Sequence, residues 1–367
     1  MTLYRMELYR ILHRKLFWVM GVVILGWLAV YFCLESVGAE ITKVNGTVYE
    51  GYAAIRMDRK ITEDFKGKLT DADVQRIIEK YGYPGEVREE YGHWMDENYL
   101  NGFVADNLTD GYFRSWDDYK VPQNTIPINE SGLRVYSATP QGELNFAYAR
   151  GWEKFLDIFQ MSNWLLSLIV MICTAPLFCE ERQSGMRQIM FTAEKGIGTD
   201  TRARIAAAFT VTVCGYIFLL LLLFGLCAAV FGFDGSEMSM GMGMILGTNS
   251  AHAVSQLEIG DFTLGYIVTA LGGILMLTGM VVWISAKADT VAHSLLAAIF
   301  SWAAPVILYM TFQSRFLYLL ALIQPALMSN YGSMLDAVPF YWMRAAAVPV
   351  VITAGIVCGA LQWKKVD

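Results

Sequence analysis

Seven stretches of this chain contain no Lys, Arg, Asp or Glu: Leu16–Leu34, Ile158–Cys179, Ile205–Phe233, Phe262–Ala286, Thr290–Ser314, Phe316–Leu335 and Ala345–Trp363. At a rise of 1.5 Å per residue, about 20 residues cross a hydrocarbon core of roughly 30 Å, so each stretch is long enough to be a spanning helix. Composition agrees, with 55% hydrophobic and only 17% charged residues, against about 25% charged in an ordinary soluble domain. The expectation is a polytopic membrane protein. A net charge of −6 argues against a nucleic-acid partner, because phosphate binding relies on basic surfaces. The first stretch is longer than a signal-peptide apolar region, and Glu35-Ser36-Val37-Gly38 after it is a poor cleavage site, so it reads as a retained span.

Flanking charges predict the topology. Arg5, Arg10, Arg14 and Lys15 precede the first span, and Arg182, Arg187, Lys195, Arg202 and Arg204 follow the second. By the positive-inside bias both groups lie in the cytoplasm. Residues Asp234–Asp261 hold four acids and no Lys or Arg, as an outside loop should; Lys287 marks the next inner turn, and Lys364-Lys365 mark an inner C-terminus. Both ends inside require an even number of crossings. Residues 316–335 are set aside, because Gln324-Pro325 and Ser329-Asn330-Tyr331-Gly332 interrupt them with polar and helix-breaking groups. The predicted fold class is therefore an α-helical polytopic membrane protein of six transmembrane helices with an α+β extracellular domain between helices 1 and 2. Its parts are a cytoplasmic amphipathic interfacial helix (1–15), the first span (16–34), the extracellular domain (36–153), spans 2–6 (154–363) with a cytoplasmic loop at 180–204 and a re-entrant or interfacial segment at 316–335, and a cytoplasmic tail (364–367).

Charge divides along the same lines. Ser36–Glu153 holds 13 Lys plus Arg and 20 Asp plus Glu, a balance of −7, and the remainder carries +1. An acidic external domain predicts a cationic or amphiphilic ligand by electrostatic steering. Within it, strand-like runs open at Ile41–Tyr49. Thr70-Asp71-Ala72-Asp73 resembles a capping box, with Val74, Ile77, Ile78 and Tyr81 following at helical spacing up to Gly82 and Pro84; a second helical stretch is expected over Glu89–Leu108. All six cysteines lie in or beside spans, so the domain has no disulfide framework. Three glycosylation sequons start at Asn45, Asn107 and Asn129 and matter only in a eukaryotic source, whereas the missing disulfides point to a bacterial plasma membrane. The dense aromatics, among them Tyr81, Tyr91, Trp94, Tyr99, Phe103, Tyr112, Trp116 and Tyr119, read either as a surface for an amphiphile or as the domain's core.

Catalytic motifs are missing. Gly67-Lys68 has Thr62 where a P-loop needs its first glycine, and no HExxH, GxSxG or CxxC occurs. His13, His93, His252 and His293 are scattered, which argues against a shared metal site. Met238, Met240, Met242 and Met244 alternate in one outer loop; thioethers suit Cu(I), and methionine equally suits a flexible apolar surface loop. No enzymatic activity and no cofactor of the chain's own are expected.

The second span closes with Ala175-Pro176-Leu177-Phe178-Cys179-Glu180-Glu181-Arg182-Gln183-Ser184-Gly185-Met186-Arg187-Gln188-Ile189-Met190, and basic residues follow to Arg204. This resembles the permease subunits of ABC-2-type ATP-binding-cassette transporters, whose second span ends in Phe, one residue, Glu, then Gly, an apolar helical turn and a basic residue. Gly151-Trp152-Glu153-Lys154 resembles the subgroup of Gram-positive bacteria with a large extracellular loop after the first helix. Met186 stands where that family usually has a small hydroxyl residue, and Arg202 or Arg204 where it has Lys. The resemblance implies an exporter of a peptide, lipid-linked or other amphiphilic compound, paired with a second permease copy or paralogue and driven by separate ABC ATPase subunits that bind ATP and Mg. It implies that Glu180, Glu181, Arg182, Gly185, Met186 and Arg187 form the turn that docks on the ATPase. It also implies an interfacial N-terminal helix, for which Tyr4, Leu8, Ile11 and Leu12 give an apolar face and Glu7, Arg10, His13, Arg14 and Lys15 a polar one. The alternative function is a membrane sensor or structural protein whose external domain binds a ligand without transport.

Overall fold

A computed structural model describes residues 2–85, 97–115, 118–137, 143–192, 198–242, 257–336 and 341–364. Helix α1 (Leu3–Leu12) stops at His13–Arg14, and α2 (Lys15–Tyr31) begins the first span, which widens into a π turn over Phe32–Val37. Strands β1 (Ile41–Val44) and β2 (Thr47–Glu50) pair in antiparallel register, Val44 opposite Thr47. Asn45 and Gly46 both take positive φ, 51° and 79°, as a two-residue hairpin turn requires. Helix α3 (Tyr52–Glu63), β3 (Gly67–Leu69), α4 (Asp71–Tyr81), α5 (Tyr99–Asn107), β4 (Tyr112–Ser115), β5 (Asp118–Lys120) and β6 (Leu144–Phe146) complete the inserted segment. The capping box is present: Thr70 Oγ1 accepts from the Asp73 amide, and the Asp73 carboxylate accepts from the Thr70 amide. The expected second helix is α5 in its latter half; residues 89–96 of that stretch, with Tyr91, His93 and Trp94, lie outside the described residues.

Thereafter the chain is helical: α6 (Arg150–Thr174), α7 (Pro176–Gln183), α8 (Met186–Thr192), α9 (Thr199–Val230), α10 (Ile259–Lys287), α11 (Val291–Phe312), α12 (Arg315–Leu322), α13 (Pro325–Met328), α14 (Gly332–Asp336) and α15 (Tyr341–Lys364). Among the described residues, six helices or helix pairs are long and apolar enough to cross a membrane: 15–37, 150–183, 199–230, 259–287, 291–312 and 341–364. This is the architecture of a multi-pass membrane protein. Residues 316–335 fall on three short helices, none of spanning length, broken where Gln324-Pro325 and Ser329–Tyr331 stand.

The chain divides into two compact units, one of residues 1–28, 158–222 and 265–367, the other of residues 29–157 and 223–264. In the second unit the loop after the third span packs with the inserted segment: Lys66 pairs with Asp234 at 2.8 Å, and the Trp152 indole N–H donates to the Asp234 carbonyl. Its core includes Ile55, Leu69, Ile77, Leu100, Phe103 and Phe146. Asp58 is buried inside it, accepting from Thr42 Oγ1 at 2.7 Å and from the first amide of α5, Tyr99, at 3.1 Å. Burial lifts this carboxyl from 3.8 to about 6, against those two hydrogen bonds, with Glu40 adding repulsion and Arg150 attraction. Because the folded pKa lies above the unfolded one, the domain loses roughly 2–3 kcal/mol as pH rises from about 4 to 6, and the loss is complete above that window. Asp58→Asn keeps an acceptor for both donors without the charge. Thermal unfolding of the full chain in detergent is expected to show that slope in the native protein and to lose it in the variant.

In the first unit the fourth and sixth spans approach closely through glycine, as apolar helices in lipid do. A Cβ on Gly355 would meet the backbone of Gly279, and one on Gly359 would meet Val282 at 3.0 Å. The second span is interrupted at Pro176, whose ring removes a helical N–H. Ser285 of α10 repairs the break, donating to the Ala175 carbonyl at 2.7 Å and accepting from the Phe178 amide at 2.9 Å. Ser285→Ala leaves both groups without that partner and is expected to lower stability by about 1–3 kcal/mol, read as a lower unfolding temperature, with Ser285→Thr retaining most of it.

The charge-free stretch read as the last span begins at Ala345. The sixth span instead starts at Tyr341 and takes in Arg344, which is only 3% exposed. Its guanidinium donates to the Leu322 carbonyl at 3.0 Å and to Ser333 Oγ at 2.7 Å, filling backbone acceptors that the broken segment leaves open.

Candidate functional site

The C-terminal end of the second span is where buried charge gathers. Arg10 pairs with both carboxylates of the Glu180-Glu181 pair, at 2.7 Å to Glu180. Arg14 pairs with Glu180 at 2.6 Å and donates to the Cys173 carbonyl. Arg204, with a side chain 2% exposed, pairs with Asp200 and Glu181 at 2.7 Å each and donates to the Leu177 carbonyl. Glu7 joins at 3.4 Å from Arg10 and 3.9 Å from Arg204; burial pushes its carboxyl above the ordinary range despite both cations. Three guanidiniums and four carboxylates thus tie α1, α7 and the start of α9 together. Such a network holds only while its members stay paired, since an isolated buried charge is costly.

Aromatic packing seats the network. Trp363, fully buried near the end of α15, lies 5.1 Å from Phe178 and 5.7 Å from Phe191. Arg187 sits over Phe191 and Trp363 at 5.1 and 5.3 Å, and Arg204 lies over Phe178 at 5.9 Å. The apolar face of α1 packs on the same core: Ile11 is buried among Leu177, Phe178, Ile205, Ala208 and Trp363. Thus the N-terminal helix is held by protein along this face, because its apolar stripe meets helices α7, α9 and α15.

The candidate docking residues take different stations along the turn. Glu181 is buried in the network and Glu180 is exposed but engaged. Arg182 donates to the Ala286, Lys287 and Ala288 carbonyls, capping the end of α10 where the helix dipole favours a cation. Gln183 accepts from the Val291 amide that opens α11. Gly185 takes φ +72°, the left-handed geometry that lets α8 fold back after α7. Beyond it Met186 and Ile189 stand 48% and 62% exposed on α8. Of the interfacial set, Arg10 and Arg14 are partly buried in the network, while His13, stacked on Tyr9, and Lys15 are exposed. Residues 193–197, with Lys195, and residues 365–367, with Lys365, lie outside the described residues.

Asp200 and Trp363 are members that sequence reasoning did not assign to the site, and Glu7 and Arg204, named there on the polar face of α1 and as a basic residue after the motif, were not expected to meet each other. Asp200 and Arg204 at i,i+4 on a helix start were the available signal.

Elsewhere, Met238, Met240 and Met242 are buried, and the Met238 sulfur accepts from the Ala147 amide. They pack inside the second unit and do not form the flexible surface loop of the second reading; Met244 and His252 lie outside the described residues. Among the described residues, no three His, Cys, Asp or Glu side chains converge on a metal position. Tyr99 and Phe103 belong to the domain's core, while Tyr112 and Tyr119 are exposed. No protein-family model, no curated protein and no solved structure matches this chain.

Proposed function

We propose that this chain is the membrane-spanning permease subunit of an ATP-binding-cassette exporter for a peptide, lipid-linked or other amphiphilic compound. The observation that carries the reading is the α7–α8 turn: an exposed apolar face, Met186 and Ile189, mounted on buried ion pairs. Neighbouring exposed apolar groups outside the spans and rimmed by charge suit a protein contact. The same turn is bonded to α1, to the turn at 286–291 and to Trp363, so a push on it reaches three parts of the bundle. That is the rigid-body linkage an ATP-driven switch needs.

The gathering of α1, the 2–3 turn, the 4–5 turn and the end of the sixth span supports both termini on one side, which the basic residues mark as the cytoplasm. Packing of the 234–242 loop with the inserted segment supports both of these on the outer face. ATP and Mg would bind the partner ATPase, this chain lacking a P-loop. Purification in mild detergent with the ATPase tests the reading. ATP hydrolysis by the co-purified complex is expected, and Met186→Asp with Ile189→Asp should abolish association while leaving the permease folded. A purified chain with no ATPase partner favours a sensor or structural role instead.

A further inference from the structure

Between α1 and the first three spans lies a partly open cavity of about 570 Å³. Its walls are apolar side chains with a few threonine and cysteine groups, and no charged residue lines it. Along α2 the lining runs over positions 17–25, along α6 over 166–174 and along α9 over 208–219. At 1.5 Å per residue these stretches measure about 12–17 Å, close to the depth of one bilayer leaflet, roughly half of a 30 Å core. The cavity is therefore an elongated slot parallel to the helices and one leaflet deep.

One end of the slot is marked by charge. Leu12 lines it, and the Trp18 indole, also in the wall, donates to the Leu12 carbonyl across the break between α1 and α2. Inside that break Arg14 reaches the carbonyl of Cys173, a wall residue. Lys15, two positions before the wall residue Phe17, is exposed and makes no ion pair among the described residues. An apolar slot of one-leaflet length with a free ammonium at its interfacial end fits one molecule that has an acyl chain and an anionic headgroup.

We propose that the slot binds an anionic phospholipid, one acyl chain lying along Trp18, Gly21 and Leu25 and the phosphate held by Lys15. The neighbouring guanidinium of Arg14, already paired with Glu180, positions the mouth rather than supplying the free charge. A Cβ on Gly21 would meet nothing within 4 Å, so a larger side chain there enters the slot without displacing the backbone.

The test titrates the full chain, purified and delipidated in neutral detergent, with dibrominated phosphatidylglycerol or dibrominated phosphatidylcholine. Tryptophan quenching is followed, and Trp18→Phe identifies the reporter. Half-quenching at about fivefold less phosphatidylglycerol is expected, the preference one lysine gives toward an anionic headgroup. Lys15→Ala should bring the two lipids level, and Gly21→Phe should remove saturable quenching by both. Native mass spectrometry of the unaltered chain should retain one phosphatidylglycerol. Equal quenching by the two lipids in the unaltered protein, or a Gly21→Phe chain that still binds phosphatidylglycerol as before, would overturn the proposal.

Discussion

Arg204→Met is expected to destabilise the first unit by about 3–5 kcal/mol, the range for removing one member of a buried ion network. The cause is what remains. Glu181 and Asp200 lose their 2.7 Å partner, Glu7 loses a cation at 3.9 Å, and the Leu177 carbonyl loses its donor. At 2% side-chain exposure, no water reaches Arg204's place to screen them. Arg204→Lys keeps the charge but not the planar fork or the stacking over Phe178, so an intermediate loss is expected. Adding Glu181→Gln to Arg204→Met removes one uncompensated carboxylate and should recover part of the stability. Thermal unfolding of the four proteins in one detergent checks the order; equal stability of Arg204→Met and the native chain would show that the network contributes nothing.

Gly355→Leu is expected to separate the fourth and sixth spans. A Cβ at 355 would fall on the carbonyl group of Gly279, and backbone, unlike a flexible side chain, has no rotamer by which to yield. Overpacking a rigid core costs about 1–3 kcal/mol, and a collision with main chain belongs at or above the top of that range. Gly26→Ala is the control, since a Cβ there meets nothing within 4 Å and alanine favours helix by up to about 1 kcal/mol. Monodisperse yield and unfolding temperature should fall sharply for the first variant and hold or rise for the second.

The spans were legible because lipid imposes a long-wavelength rule: charge is excluded over about 20 residues at a time. Their ends shifted where a charged residue finds a partner inside the fold, as Arg344 does at the broken segment and Arg204 does at α9. Local chemistry was readable where it depends on neighbours in the chain, as at the Thr70–Asp73 capping box. The Asn45-Gly46 hairpin carried an equally local turn signal, noted only as a sequon.

Contacts between distant positions were not readable. The repair of Pro176 by Ser285, the burial of Trp363 under Arg187 and the engagement of Glu181 by Arg10 depend on which faces meet after folding. The motif at 180–187 spans the α7–α8 turn but blends two jobs. Glu181 and Arg182 brace it from inside, and Met186 and Ile189 face out. A string of charges in sequence does not show which of them are already satisfied.

The proposed contact of α8 with an ATPase can be trapped covalently. A photo-crosslinking amino acid at position 189, in the chain expressed with its chromosomally encoded partners, tests it most directly, with the exposed position 135 of the inserted segment as control. An adduct is expected at 189, absent at 135, whose captured chain carries the GxxxxGK[ST] phosphate-binding motif. An Ile189 adduct confined to lipid, or to a protein without that motif, would contradict it.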